Sequence, residues 1–196
     1  MDTVRPSREE AMQLLLKYNQ NESLIKHALT VEAVMLHFAD LLNEEDREKW
    51  GIIGLLHDID FEMYPEQHCI KAVEILKDHK LPDDLIHAVV SHGYGMCSNV
   101  EPVERMEKIL YTVDELTGLI AATALMRPSK SILDTELKSV KKKWKQKSFA
   151  AGVNREIIEE GARSLEMDLD FIIEATINGM RKAAESIGLQ GDGGQK

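Results

Sequence analysis

The sequence predicts an all-α protein, a bundle of five or six helices followed by a C-terminal helical lobe. Apolar residues recur at spacings of three and four through most of the 196 residues, which is the period of an amphipathic helix. No segment shows the sustained apolar–polar alternation of a half-buried strand. The change in composition near Arg127-Pro128 predicts a core of residues 1–127, a lobe of residues 128–188 packed on it, and a disordered Gly-rich tail of residues 189–196.

The first part of the chain is predicted to form five helices. Each begins at a favourable N-cap residue or a proline: Ser7, Asn21, Asp46, Pro65 and Pro82. Ser7 is followed by Glu10, which is the capping-box spacing. The predicted helices end near Tyr18, Leu42, Asp58, His79 and His92.

A long sixth helix is predicted to complete the core. Glu101-Pro102 opens it, and it stops before Pro128. Three further helices are predicted over about residues 134–147, 154–166 and 168–187.

Composition narrows the class of protein. The formal net charge of −10 argues against a nucleic-acid footprint, which needs clustered positive charge. Cys69 and Cys97 are too few for a disulfide framework and are interpreted as passive thiols. We expect a cytoplasmic protein without a membrane span or a secretory segment. The sequence does not indicate an oligomeric state.

Several histidines and carboxylates point toward the predicted core. His27, for example, shares a helical face with Val31 and Val34. The whole inward-facing set is His27, His57, Asp58, His68, His92 and Asp114. Buried ionisable groups are costly unless they are paired or bind a metal. Asp60 and Glu62 could support the ligands or act as a base, but solvation in the loop is the favoured interpretation.

This donor set suits divalent cations. Imidazole and carboxylate bind Fe, Mn, Zn, Ni or Mg, and no thiolate is required. The two oxygens of Asp58 allow it to bridge two ions. Paired metals about 3.5–4 Å apart are a recurring device for cleaving phosphate esters. The sequence therefore predicts one or two divalent ions.

The order of these residues resembles the signature of the HD superfamily of metal-dependent phosphohydrolases. The match lies in His27 of "SLIKHALTVEAVM", His57-Asp58 of "GLLHDID" and Asp114 of "ILYTVDELTGLI". His68 and His92 are similar to the further ligands of two-metal members. The resemblance implies that His27, His57, Asp58 and Asp114 hold one metal, and that His68 and His92 hold a second with bridging Asp58. Asp58 and Asp114 would then be the catalytic carboxylates.

The resemblance implies hydrolysis of a phosphoester or phosphoanhydride, in a nucleotide or another small phosphorylated metabolite. Two alternatives stay open, a mixed-valence di-iron oxygenase of the same fold and an HD-like binding or signalling module. The frequent "HDIG-K" extension is replaced by "HDIDF", so a usual phosphate-binding lysine is missing. Positive charge for the substrate is therefore expected from Arg127, Lys130, Lys138 and Lys142, with Lys141 and Lys145 on the same predicted helical face. The alternative is that this lysine-rich helix is a solvated face far from the metal site.

Overall fold

A computed structural model describes residues 4–191, and its regular secondary structure is helical. The all-α prediction is confirmed. The α-helices are α1 Arg8–Tyr18, α2 Glu22–Leu41, α3 Arg47–Leu56, α4 Ile70–Asp78, α5 Asp83–Ser91, α6 Arg105–Leu125, α7 Leu137–Trp144, α8 Arg155–Ser164 and α9 Leu169–Lys182. α2 packs on α3, α6 and α9, and α6 also packs on α5, α7 and α8.

The N-terminal caps follow the sequence closely. Ser7 and Glu10 form the predicted capping box at α1, and the side chain of Asn21 accepts the Ser23 N–H at α2. A distant residue also holds the start of α2, because the Glu62 carboxylate accepts the N–H groups of Gln20 and Asn21 at 2.7 and 2.8 Å. Glu62 is therefore a helix-anchoring residue, and its interpretation as a merely solvated loop residue is wrong.

Glycine allows α2 and α3 to approach closely. A Cβ at Gly54 would lie 3.0 Å from the Val31 carbonyl oxygen and 3.1 Å from Glu32 Cα. These contacts are tighter than ordinary side-chain packing allows, so glycine permits the two backbones to touch. The close approach brings the end of α3 beside the middle of α2, one helical turn from the predicted ligand His27.

The predicted continuous helix from Pro65 to His79 is wrong. Pro65–Gln67 form one 3-10 turn, the chain then breaks, and α4 begins at Ile70. Cys69 at the break has φ +66°, in the left-handed region that residues with a side chain rarely adopt. The first turn of α4 is capped from elsewhere in the chain, because the Asp60 carboxylate accepts the Ala72 N–H at 2.8 Å.

The C-terminal helices share the core of the N-terminal ones. Gly161 of α8 sits against Thr112 of α6, and Gly179 of α9 sits against Val34 of α2. The buried apolar side chains of both parts form one cluster. The division predicted near residue 127 therefore lies within a continuous core.

The end of the described chain is packed. Leu189, where the disordered tail was predicted to begin, is buried, and its carbonyl accepts the Ile132 N–H at 2.8 Å. Structure thus extends through Gly191, and residues 192–196 of the predicted tail lie outside the described residues. Among residues 4–191, no helix has both the length and the apolar character needed to cross a membrane.

Candidate metal centre

The six predicted ligands come from separate elements that meet at one place. Three of the histidines stand just outside regular helix, where a ring can turn away from the helix axis. His57 follows α3, His92 follows α5, and His68 lies in the break before α4. The remaining ligands are His27 in α2, Asp58 after α3 and Asp114 in the middle of α6.

The first group of donors contains two histidines and two carboxylates. His27 Nε2 lies 3.1 Å from His57 Nε2 and 3.0 Å from Asp114 Oδ1. His57 Nε2 lies 3.4 Å from Asp114 Oδ1 and also 3.4 Å from Asp58 Oδ2. These four side chains therefore face one small space.

The second group lies on the other side of Asp58. His68 Nε2 and His92 Nε2 are 3.1 Å apart. Asp58 Oδ1 lies 3.3 Å from the first and 3.4 Å from the second. One carboxylate thus directs Oδ2 toward the first group and Oδ1 toward the second, which is the arrangement that a bridging ligand requires.

Hydrogen bonds on the outer side of three rings fix their tautomers. His57 Nδ1 lies 2.8 Å from the Gly54 carbonyl, and His92 Nδ1 lies 2.6 Å from the Val89 carbonyl. A carbonyl only accepts, so each Nδ1 carries the proton. The Nε2 atom of each neutral ring is then a bare lone pair aimed at the centre, the form that binds a metal.

The Asp60 carboxylate fixes the tautomer of His68 in the same way. The sequence itself did not favour this role for Asp60. Its side chain is 0% exposed, and Oδ1 lies 2.8 Å from His68 Nδ1. The second oxygen caps α4 at Ala72. Asp60 is therefore a buried orienting carboxylate rather than a solvated loop residue. The only sequence signal was its position, two residues after Asp58.

The spacing of the donor atoms fits metal ions. Donors bonded to one ion at about 2.1 Å stand roughly 3.0 Å apart in an octahedron and roughly 3.4 Å apart in a tetrahedron. The distances within both groups fall in this range, apart from 3.7 Å between His27 Nε2 and Asp58 Oδ2. Facing lone pairs at such distances repel each other unless a cation lies between them. His27, His57 and Asp114 in the first group could hold an ion, and so could His68 and His92 in the second together with the neighbouring thiol of Cys69.

The electrostatics of the metal-free centre agree with this chemistry. Burial lowers the pKa of His57, but the carboxylates of Asp58 and Asp114 outweigh burial and raise it well above its usual range. Burial likewise raises the pKa of both carboxyls, and the neighbouring histidines overcome this and depress it. Burial also opposes a charged His68, while its bond to Asp60 raises its pKa, to about 10. Without metal, protonated histidines therefore balance the charge of the ionised carboxylates.

The residues predicted to bind substrate lie elsewhere. Arg127 follows the end of α6, and the eleven residues from Asp114 to Leu125 place it about 16 Å along the helix from the ligands. Its guanidinium makes a bidentate pair with Asp134, at 2.9 and 3.0 Å. This pair ties Arg127 to its own loop. α6 carries that loop away from the ligands.

The predicted lysines occupy the same C-terminal part of the molecule. Lys130 is exposed in the loop after α6, at φ +49°, and Lys142 is exposed on α7. Lys138 pairs with Glu136 at 2.7 Å. Lys138 is therefore paired with an acidic neighbour on its own segment.

A cavity of about 800 Å³ lies closer to the middle of α6, beside the end of the lysine-rich segment of residues 138–147. Lys145, Lys147 and Asn154 are among its lining residues. The Asn154 N–H donates to Glu115 at 3.0 Å, and Glu115 directly follows Asp114. Lys147 was therefore missed among the substrate-binding predictions, whereas Lys145 lies on the lysine-rich face predicted from the sequence.

Comparison with known proteins agrees with the geometry. No solved structure gives a significant match to the chain. The family model described as HD domain matches residues 24–119, a span that contains all six converging ligands and all of α3 to α5. The resemblance seen in the motifs is confirmed, because residues 24–119 match the model of an HD domain.

Proposed function

We propose that this protein is a metal-dependent hydrolase of a phosphoester or phosphoanhydride bond in a small phosphorylated metabolite such as a nucleotide. One observation carries the proposal. Two groups of donor atoms, each spaced like a coordination shell, are joined by the two oxygens of Asp58. Paired divalent ions, when bound there, activate water and stabilise charge on a transferring phosphoryl group.

The chain's own residues prepare the centre for this reaction. The Gly54 and Val89 carbonyls and the Asp60 carboxylate hold three imidazoles with Nε2 turned inward. Rings fixed in advance need no reorganisation during turnover. His57 is fully buried, while His27 is 27% exposed. The centre therefore opens to solvent on the side of α2 and is sealed on the side of α3.

We infer that the anionic substrate extends from the exposed side toward the cavity bordered by Lys145 and Lys147. Asn154 supports this placement, since it lines the cavity and also binds Glu115 beside Asp114. Opposite charge near the entrance raises the rate of encounter with an anion.

Metal content and hydrolysis test the proposal together. The purified protein should contain at least one divalent ion and release phosphate from members of a panel of nucleotides and sugar phosphates. Asp58→Asn keeps the shape of the side chain and removes its charge, so turnover should fall at least about a hundredfold. Asp78→Asn, an exposed change on α4, is the matched control. Metal-loaded Asp58→Asn with normal turnover would remove Asp58 from the mechanism.

The same purified protein distinguishes a hydrolase from the alternative, a di-iron oxygenase. A mixed-valence di-iron centre would give a coloured protein with an electron paramagnetic resonance signal after aerobic purification. Such a signal together with no phosphate release would overturn the hydrolase proposal.

Two pairs of charge reversals locate the substrate. Lys145→Glu with Lys147→Glu should raise KM, most clearly at low salt, where attraction is least screened. Lys138→Glu with Lys142→Glu tests the pair expected from the sequence. A larger KM effect from the second pair would move the substrate to α7.

A further inference from the structure

Two thiols lie beside the second group of donors. Cys69 directly follows His68, and its Sγ is 2.9 Å from the Sγ of Cys97. Cys69 is 2% exposed, whereas Cys97 is partly exposed. Both thiols are free. Neither has a role in the proposed hydrolysis.

The backbone around the pair holds the sulfurs together. Gly93, which follows His92, provides the surface on which they sit, because a Cβ there would lie 2.3 Å from Cys97 Sγ and 2.6 Å from Cys69 Sγ. The Gly93 carbonyl accepts the N–H groups of Met96, Cys97 and Ser98, each at 3.0 Å. Cys97 is thus fixed in a tight turn. Cys69 faces it from the break before α4, where its φ is +66°.

We propose that Cys69 and Cys97 form a reversible dithiol–disulfide site that reacts with low-molecular-weight disulfides. The more exposed Cys97 thiolate attacks the small disulfide, which forms a mixed disulfide and releases one small thiol. The Cys69 thiolate then attacks the Cys97 sulfur and displaces the second small thiol. The two protein thiols are oxidised, the small disulfide is reduced to two thiols, and the cysteine protons leave on these products.

The location of the bond gives it a consequence for the fold. It would close a loop that contains α4 and α5 and would join the residue after His68 to the turn after His92. A cross-link over such a loop restricts the unfolded chain. The oxidised protein should therefore melt several degrees higher than the reduced protein.

Oxidised glutathione is the probe for the experiment. The native protein is incubated with it, quenched in acid, unfolded, treated with an alkylating reagent and weighed by intact mass spectrometry. Wild type should lose two hydrogens, take up no alkyl group and carry no glutathione. Cys69→Ser should instead accumulate glutathione on Cys97, because the resolving thiol is gone. Cys97→Ser should stay unmodified, because Cys69 is buried.

Several results would overturn the proposal. Wild type that keeps two alkylatable thiols would show that the pair does not react, and a stable glutathione adduct on wild type would show that Cys69 does not resolve it. Dithiothreitol must restore both thiols and the lower melting temperature, or the site is not reversible. This inference does not rest on the proposed hydrolase activity, because mass and thiol content are measured without a substrate.

Discussion

Replacing Asp60 by Asn would test how the second metal position is built. The buried carboxylate accepts from His68 Nδ1 with one oxygen and from the Ala72 N–H with the other. An amide keeps one accepting oxygen and presents an N–H donor in place of the other. If the oxygen continues to cap α4, the amide nitrogen faces His68 Nδ1 and favours the tautomer with the proton on Nε2. That tautomer has no lone pair on Nε2, the atom that faces the metal position.

The size of the effect follows from the bond that is lost. A hydrogen bond to a charged group contributes about 1.5–3 kcal/mol, and about 1.4 kcal/mol corresponds to a tenfold change in affinity. We therefore expect the second ion to bind about 10–100-fold more weakly in Asp60→Asn, while the first ion binds as in wild type. None of the donors in the first group contacts Asp60 in the described structure.

The assay is a titration with Mn²⁺ in which the free ion is counted by electron paramagnetic resonance. Wild type should show two binding steps, and Asp60→Asn should shift only the weaker one. Asp78→Asn is the matched control on α4. A variant with both steps unchanged and a normal melting temperature would refute the orienting role of Asp60.

Three further perturbations have defined outcomes. Glu62→Ala should lower the free energy of unfolding by about 1 kcal/mol, because two N–H groups at the start of α2 lose their acceptor; an unchanged urea midpoint would contradict this. Gly161→Ala should cost about 1–3 kcal/mol, because its Cβ would lie 2.0 Å from Thr112 Oγ1, and normal stability would mean that α8 packs differently on α6. EDTA-treated protein should melt at a higher temperature at about pH 6 than at about pH 9. Burial lowers the folded-state pKa of His57, but the neighbouring carboxylates raise it by more. The stability that protonated His57 contributes is therefore complete below the unfolded pKa of about 6.5 and is lost as the pH rises through the folded pKa. Calorimetry measures this, and a melting temperature that increases over that interval would contradict it.

Capping residues and helical periodicity, which are local sequence signals, explain why the fold and the ligands could be predicted. Ser7, Asn21 and Asp46 act as caps within three residues of the groups they bind, so a short window contains the cause of each helix start. The inward placement of His27 likewise follows from neighbours on the same helical face. Helical period and capping chemistry are read directly along the chain.

Contacts between distant residues explain what the sequence did not reveal. Asp60 resembles any polar loop residue until α4 folds against it, twelve residues away. The thiol of Cys69, at the break before α4, likewise lies against Gly93, which belongs to another turn. The lysine-rich segment looked like an anion site because its charge is dense, but its distance from Asp114 depends on how far α6 extends.

Because Asp58 directs one oxygen toward each metal position, one carboxylate would serve two ions, and this affects the net charge that an incoming substrate would meet. The positive charge of two divalent ions would exceed the negative charge of the three carboxylates of Asp58, Asp60 and Asp114. The whole chain, in contrast, has a formal charge of −10. A loaded centre would therefore be a cationic spot on an acidic protein, and much of the attraction for a phosphate would come from it. Polyanions would be repelled by the surrounding surface, so the electrostatic field itself would favour small substrates over long ones.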